Sequence, residues 1–368
     1  MAIGLAGARN EEYAIRMQSR LALSPDQAAE LAGDFAACGR IIRDGSKSFH
    51  AASLLLPRDV RAAAYALYAF CRVSDDAVDL GADPAGALLS VRCRLRQAYA
   101  GQPDPSSVDR AFAWVISAYS IPSALPEALL EGFEWDAAGR NFETLSDVKT
   151  YAARVAATVG VMISLVMGVR SREALARACD LGMAMQLTNI ARDIGEDARA
   201  GRCYLPLEWL REAGLSSADL AGLAEADSPV RALTARMLDA ARPLYRSGVS
   251  GIALLPEACR PAIRAAASIY AEIGAEIARG GHDTIARRAV VSKRRKIALA
   301  ASSFIPVRTE EADADLPPAP ECAFLIEAVA AAPLPRPQAA DIPRAGTAPW
   351  AIDLFLRLEQ RDLQAEAG

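Results

Sequence analysis

Two Asp-x-x-x-Asp stripes constrain this chain more than any other feature. In QLTNIARDIGED, the residues Gln186, Asn189, Asp193 and Asp197 recur at helical spacing. At about 100° per residue they fall within roughly a quarter of a helix circumference, so four polar groups look at one place from an otherwise apolar segment. In YALYAFCRVSDDAVD, Tyr68, Arg72, Asp75 and Asp79 are spaced 4, 3 and 4 and share a face in the same way. Two carboxylates one turn apart repel each other, and an apolar neighbourhood keeps both ionised only if cations sit between them. Hard oxygen ligands of this kind suit Mg²⁺, which keeps several waters and completes its shell with substrate phosphates. One such pair is common by composition and reads as a solvated acidic face. Two of them, each with further polar partners on its stripe, favour a metal site.

A chain of 368 residues that is 52% hydrophobic has ample material for a core. Long 3.6-period segments rich in Ala, Leu and Arg argue for an all-α protein. The 41 basic and 45 acidic residues leave a net charge of −4, so no bulk attraction to nucleic acid is expected. The cysteines (Cys38, Cys71, Cys93, Cys179, Cys203, Cys259, Cys322) are scattered singly, which fits reduced core thiols in a cytoplasmic protein and neither a disulfide frame nor a zinc site. His50 and His282 are the only histidines, too few for most histidine-based catalysis. The amino terminus lacks the basic and apolar regions of a secretory signal. Between Arg154 and Arg170 lie 15 uncharged residues, short of the roughly 20 that span a bilayer, so this run is read as a core helix.

In chain order, Ser24-Pro25-Asp26 reads as the cap of a helix reaching Arg43 with a break near Gly33. Ser46-Lys47-Ser48-Phe49 opens the next one, either as a plain cap or as a phosphate-facing turn. The first aspartate helix is expected over about 58–80. Helices are also expected over 108–120 and 127–138, the latter ending near the polar candidates Glu134, Asp136 and Arg140. Others are expected over 151–168, 173–199, 229–247 and 256–279. Gly201 to Pro206, GRCYLP, cannot continue the second aspartate helix and folds over its end as a loop placed to shield a reactive intermediate. The basic cluster Arg287, Arg288, Lys293, Arg294, Arg295 and Lys296 allows three readings: a solvated face, a lipid head-group patch, or phosphate ligands. From Pro306 to Pro349 the chain holds nine of its 21 prolines and reads as a linker, with ECAFLIEAVAAA the one apolar exception. Residues 350–368 carry helical spacing again and read as a short amphipathic helix. The domain expectation is thus a helical unit over 1–305, a linker over 306–349 and a terminal helix, with the tail dispensable for chemistry.

GSKSFHAASLLLP, YALYAFCRVSDDAVD, YAARVAATVG, QLTNIARDIGEDARAGRCYLP and RAVVSKRRK together resemble the head-to-head prenyl synthases, the phytoene and squalene synthase family. The resemblance covers residues 34–300, and its wording is closest to bacterial phytoene synthases. It implies a single all-helical isoprenoid-synthase fold around a central cavity, with a Pro-rich C-terminal extension. It implies that Asp75, Asp79, Asn189, Asp193 and Asp197 hold Mg²⁺, or Mn²⁺ in its place, bridging substrate diphosphates. It assigns catalysis to Tyr68, Arg72 and Tyr151, and substrate binding to Ser46, Gln186, Tyr204, Tyr270 and Arg288. Ala157 stands where many members carry glycine. The implied reaction joins two geranylgeranyl diphosphates to phytoene through a cyclopropylcarbinyl diphosphate, as a step of carotenoid biosynthesis.

Squalene or dehydrosqualene formation from farnesyl diphosphate is the nearest alternative. The former needs NADPH, for which no cofactor is expected here, and no Walker motif offers a site for ATP. Ala51, Ala52 and Ser53, one turn beyond Phe49, are small enough to floor a cavity for the longer chain. Prenyl substrates imply a cytoplasmic protein in peripheral contact with a membrane, and neighbouring carotenoid-pathway enzymes are possible partners. A non-catalytic alternative is a helical scaffold docked on membranes through the basic cluster and terminal helix; it would tolerate loss of any aspartate.

Overall fold

A computed structural model of the protein describes residues 25–79, 81, 83–305 and 317–333. Among them every regular element is helical. The order is α1 Pro25–Gly45, α2 Lys47–Ser53, α3 Arg58–Asp79, α4 Pro84–Tyr99, α5 Ser107–Ala118, α6 Ala124–Ala137 and α7 Leu145–Ala152. A π-helical turn, Ala153–Ala157, then leads into α8 Thr158–Val166. There follow α9 Arg172–Arg199, α10 Leu207–Glu212, α11 Ser217–Ala221, α12 Ser228–Ser250, α13 Arg260–Arg279, α14 Lys293–Ser302 and α15 Ala323–Ala331.

The 28-residue α9 is the axis of the molecule. It is buried on nearly every side and packs against α8, α12, α13 and the π-turn. Glycines allow that closeness: a Cβ on Gly182 would stand 2.7 Å from Ala157 Cα, and one on Gly248 2.7 Å from Leu181 Cβ. Ala157 is itself fully buried at this crossing. The apolar run expected as a core helix is α7 to α8, where Val161, Met162 and Leu165 are buried. The same core continues to where α3 meets α5, with Phe70 and Phe112 stacked at 3.9 Å. The aspartate stripes of α3 and α9 thus stand on well-packed helices.

Several expectations change. α1 runs unbroken through Gly33, because one helical glycine weakens a helix without ending it. α4 was not foreseen; Asp83 caps it by accepting from Gly86 N at 3.0 Å. α13 starts at Arg260, since Pro256 to Cys259 make a turn instead. The linker reading needs correcting over Pro320–Ala331. There the ECAFLIEAVAAA patch forms a 3₁₀ turn and α15, with Cys322, Leu325, Ile326 and Val329 buried against α6, α8 and α9. Ser146 Oγ donates to Glu321 Oε1 at 2.8 Å, and Arg154 lies 5.1 Å from the Phe324 ring. The expected Ser24 cap and terminal helix fall outside the described residues.

Candidate active site

On α3, the missing side chain of Gly45 lets Tyr68 reach the junction of α1 and α2: a Cβ there would meet the phenol oxygen at 2.6 Å. Phe49 of α2 stands 6.4 Å from the Tyr68 ring and 5.1 Å from that of Tyr270 on α13, so three aromatic faces line one wall. Tyr245, near Tyr270 and 3.0 Å from Thr188 Oγ1, extends this group. Arg72 bonds Asp76, off the stripe, at 2.6 Å and reaches Asp75 only at 3.9 Å. Burial, then the neighbouring charge of Asp79, pushes the Asp75 carboxyl up to about 6.

On α9, Asn189 Nδ2 donates to Gln186 Oε1 at 3.3 Å, while Asn189 Oδ1 is a buried acceptor with no hydrogen bond among the described residues. Asp193 accepts from Arg192 at 2.7 and 2.6 Å and from Arg288 at 2.8 and 3.2 Å. Burial opposes its charge, but these hydrogen bonds prevail and hold its carboxyl below the usual range. Arg288 gets there because Gly195 lacks a side chain. A Cβ at Gly195 would collide with Thr284 O and Ile285 Cα at 2.8 Å, so the loop carrying Arg288 lies directly on the stripe. Among the described residues Asp197 meets no guanidinium of this kind. Burial, then repulsion from Asp193, pushes it up to about 7.

Beyond α9 the chain turns back at Gly201, whose φ of +75° suits glycine. The segment that follows joins the two stripes. Arg202 grips both oxygens of Asp79 at 3.0 and 2.9 Å. Tyr204 donates to Asp136 Oδ1 at 2.7 Å, and Tyr151 of α7 donates to Oδ2 of the same carboxylate at 2.9 Å. The two phenol rings stack at 5.1 Å, with Phe142 beside them. Asp136, at the end of α6, lies close enough to add, after burial and the neighbouring aspartates, to the upward shift of both Asp75 and Asp197. Burial carries its own carboxyl up to about 6.

The structure therefore brings Asp75, Asp79, Asp193, Asp197, Gln186, Asn189, Tyr151, Tyr204 and Arg288 into one region, with Tyr68 and Tyr270 on its aromatic wall. Ser46 caps α2, accepting from Phe49 N at 3.3 Å. Ser53 is buried, its hydroxyl bonded to His50 O and 3.4 Å from Tyr65 Oη, so it packs against Tyr65. Arg192 and Arg202 join the site from outside the expected set, and Asp136 and Lys296, candidates only by their place at a helix end and in the basic cluster, join it too. Burial, then Lys47 and Arg192, lower the Lys296 ammonium, which marks a basic cluster beside Asp193. The signal for Arg202 was its place in the recognised GRCYLP loop. A cavity of about 560 Å³ opens elsewhere, between Leu31, Asp34, Tyr99, Arg110 and Trp114, and contains none of the expected residues.

Among the described residues no three His, Cys, Asp or Glu side chains close on one point to enclose a bare ion. The donor set still fits a hard divalent cation. It consists of carboxylate oxygens pressed together on two helices and of the unsatisfied Asn189 amide oxygen. Such a cation takes one or two carboxylates and fills its shell with water and phosphate. The candidate holders are Asp75 and Asp79 on one side, and Asn189, Asp193 and Asp197 on the other.

Residues 42–295 match the squalene/phytoene synthase family. The chain is 47% identical over 346 residues to a phytoene synthase of Cereibacter sphaeroides, covering 90% of this chain and 95% of that one. It is 50% identical over 308 residues to a phytoene synthase of Rhodobacter capsulatus, covering 81% and 90%. Among solved structures, a dehydrosqualene synthase in complex with ligand superposes with a TM-score of 0.70 at 32% identity, covering 74% of this chain and 96% of that one. The squalene synthase HpnC from Alicyclobacillus acidocaldarius gives a TM-score of 0.64 at 28% identity, covering 72% and 98%.

Proposed function

The chain belongs to the squalene/phytoene synthase family, and from that premise we propose how its two aspartate stripes carry out the chemistry. It is a prenyltransferase of the 15-cis-phytoene synthase type, joining two geranylgeranyl diphosphates head to head and releasing two diphosphates in carotenoid biosynthesis. The observation that best supports the division of labour is that the one segment leaving the α9 stripe is bonded to the α3 stripe, Arg202 to Asp79, and to the end of α6, Tyr204 to Asp136.

The family is divalent-metal dependent, and Mg²⁺ suits this donor set best. Bound there, the metal supplies an electrophile that draws off diphosphate and a template that orients it. The protein supplies the rest. Asp75 and Asp79 of α3, and Asn189, Asp193 and Asp197 of α9, would hold the divalent cations. Arg288, Lys47 and Lys296 add positive charge where the leaving group gathers negative charge. Phe49, Tyr68 and Tyr270 present aromatic faces to the allylic cation. Tyr151 and Tyr204, fixed by Asp136, close the opposite wall and exclude water. No NADPH takes part, since phytoene formation ends in loss of a proton and needs no hydride.

A peripheral membrane contact is part of the proposal. Val290 and Ile305, each 68% exposed, flank the basic α14 and suit a surface of anionic lipid.

The deciding experiment incubates purified protein with Mg²⁺ and geranylgeranyl or farnesyl diphosphate in competition, scoring products by mass. Phytoene without NADPH supports the reading. Preference for farnesyl diphosphate would overturn it in favour of dehydrosqualene formation.

A further inference from the structure

We propose that Arg202 and Arg288 are resident counter-ions that yield Asp79 and Asp193 to the divalent metal and carry their own charge onto the incoming diphosphate. This rests on the diphosphate reading of the site. The starting point is an asymmetry along each stripe. Both oxygens of Asp79 are engaged by Arg202 Nη1 and Nη2, and both oxygens of Asp193 by Arg288 Nε and Nη2. Asp75 and Asp197, one turn away in each helix, carry no bidentate guanidinium among the described residues. One carboxylate in each pair is thus held by a cation before any metal arrives.

A guanidinium and a metal ion cannot share those oxygens without conflict. The fork already takes lone pairs on both oxygens, and a divalent ion brought alongside it places two cations in contact. Arginine cannot lose its proton to relieve this. It must leave, and its planar fork is suited to the oxyanion that the metal brings with it. Both arginines stand where movement is easy. Arg202 lies in the segment that turns at Gly201, and Arg288 lies in the loop between Asp283 and α14; their side chains are 32% and 44% exposed. Arg192 also forks both oxygens of Asp193, at 2.7 and 2.6 Å, from α9 itself and with a side chain only 14% exposed, so it has less room to leave and Asp193 is yielded to the metal less completely than Asp79.

The consequence is a coupling between the two ligands. Metal alone has to displace an arginine that has nowhere to go, whereas metal with diphosphate provides the destination. Each ligand therefore tightens the other by the same factor.

Calorimetric titration of the full-length protein tests this with Mg²⁺ alone, inorganic pyrophosphate alone, and the two together. The wild type should bind Mg²⁺ at least about tenfold more tightly once pyrophosphate is present. Arg202→Gln should move the two affinities in opposite directions. Mg²⁺ alone binds up to about fivefold tighter, the scale of one partly exposed ion pair. Pyrophosphate with Mg²⁺ binds about tenfold weaker or more, the scale of a lost charged hydrogen bond. Arg288→Gln should show the same signs with a smaller gain for Mg²⁺ alone, since Arg192 remains on Asp193. Circular dichroism checks folding of each variant; should Arg202→Gln unfold, Arg202→Lys, which keeps the charge and loses the fork, should show the same signs at reduced size. Unchanged or weaker binding of Mg²⁺ alone in the folded variants overturns the proposal while leaving the diphosphate reading in place. Failure of the wild type to bind pyrophosphate with Mg²⁺ overturns both.

Discussion

Tyr204 Oη donates to Asp136 Oδ1 at 2.7 Å, and this bond fastens the segment beyond α9 to the end of α6. Because Tyr151 donates to the other oxygen at 2.9 Å, one carboxylate fixes two aromatic rings of the cavity wall. Asp136→Ala leaves two largely buried hydroxyls without their acceptor, at a cost of about 1–3 kcal/mol for each such group. The expected result is a lower thermal midpoint together with reduced turnover. Asp136→Asn keeps the shape and one acceptor and should lose less stability. A midpoint unchanged in Asp136→Ala would contradict the anchoring role.

Asp79→Ala and Asp193→Ala should each abolish turnover and leave the helical circular dichroism spectrum intact. Asp79 pairs with the partly exposed Arg202, so its stability change stays within about 1 kcal/mol; Asp193→Ala should cost more, because Arg192, only 14% exposed, loses its partner. Asp193→Ala still leaves Arg288 a partner in Glu196, 3.2 Å away. Steady-state release of diphosphate is the measurement, and substantial activity in either variant rules out the assigned metal ligands.

Two truncations separate the tail from the core. Ending the chain after Ile305 removes Leu325, Ile326 and Val329, which are buried among α6, α8 and α9. Each buried aliphatic side chain contributes about 1.5–3 kcal/mol, so this truncation should unfold at markedly lower temperature or fail to accumulate. Ending it after Pro333 keeps all three and should retain wild-type melting and turnover in detergent. Equal melting of the two proteins would show that α15 contributes nothing.

Both stripes were legible because helical periodicity needs nothing beyond local spacing: Gln186 to Asp197 and Tyr68 to Asp79 lie on faces the sequence defines. What could not be read was which distant groups those faces meet. Arg202 follows Asp79 by more than a hundred residues, and only the turn at Gly201 brings them together. Arg288 depends on the loop lying on Gly195, whose signal was a glycine inside a helical pattern, easily taken as incidental. Asp136 was visible as a polar group near a helix end, but its tyrosines come from other elements, Tyr151 from the next helix and Tyr204 from the segment beyond α9. The docking of α15 was hidden by the prolines around it, since composition averaged over a long stretch conceals one apolar turn. Whether Ala51 to Ser53 floor the cavity depends on packing that spacing does not carry; Ser53 is buried with its hydroxyl 3.4 Å from Tyr65 Oη.

The metal-free protein should lose stability as pH rises from mildly acidic to mildly alkaline. Burial and the neighbouring aspartates raise Asp75 to about 6 and Asp197 to about 7, and burial raises Asp136 to about 6. In the unfolded chain these groups titrate near about 3.9. Between those values the folded state binds protons that the unfolded state has released, so stability falls with increasing pH until the folded groups have ionised. Asp193 shifts the other way; its contribution is lost only on acidification below the ordinary carboxylate range, outside this window. The thermal midpoint of chelator-treated protein should therefore be higher near pH 5.5 than near pH 7.5. Saturating Mg²⁺ with pyrophosphate should shrink the difference, because a bound cation stabilises the ionised carboxylates that the empty site penalises. Calorimetric scans at the two pH values, with and without both ligands, check this; a metal-free midpoint that rises with pH would mean that the stripes are too open to water for their charges to repel.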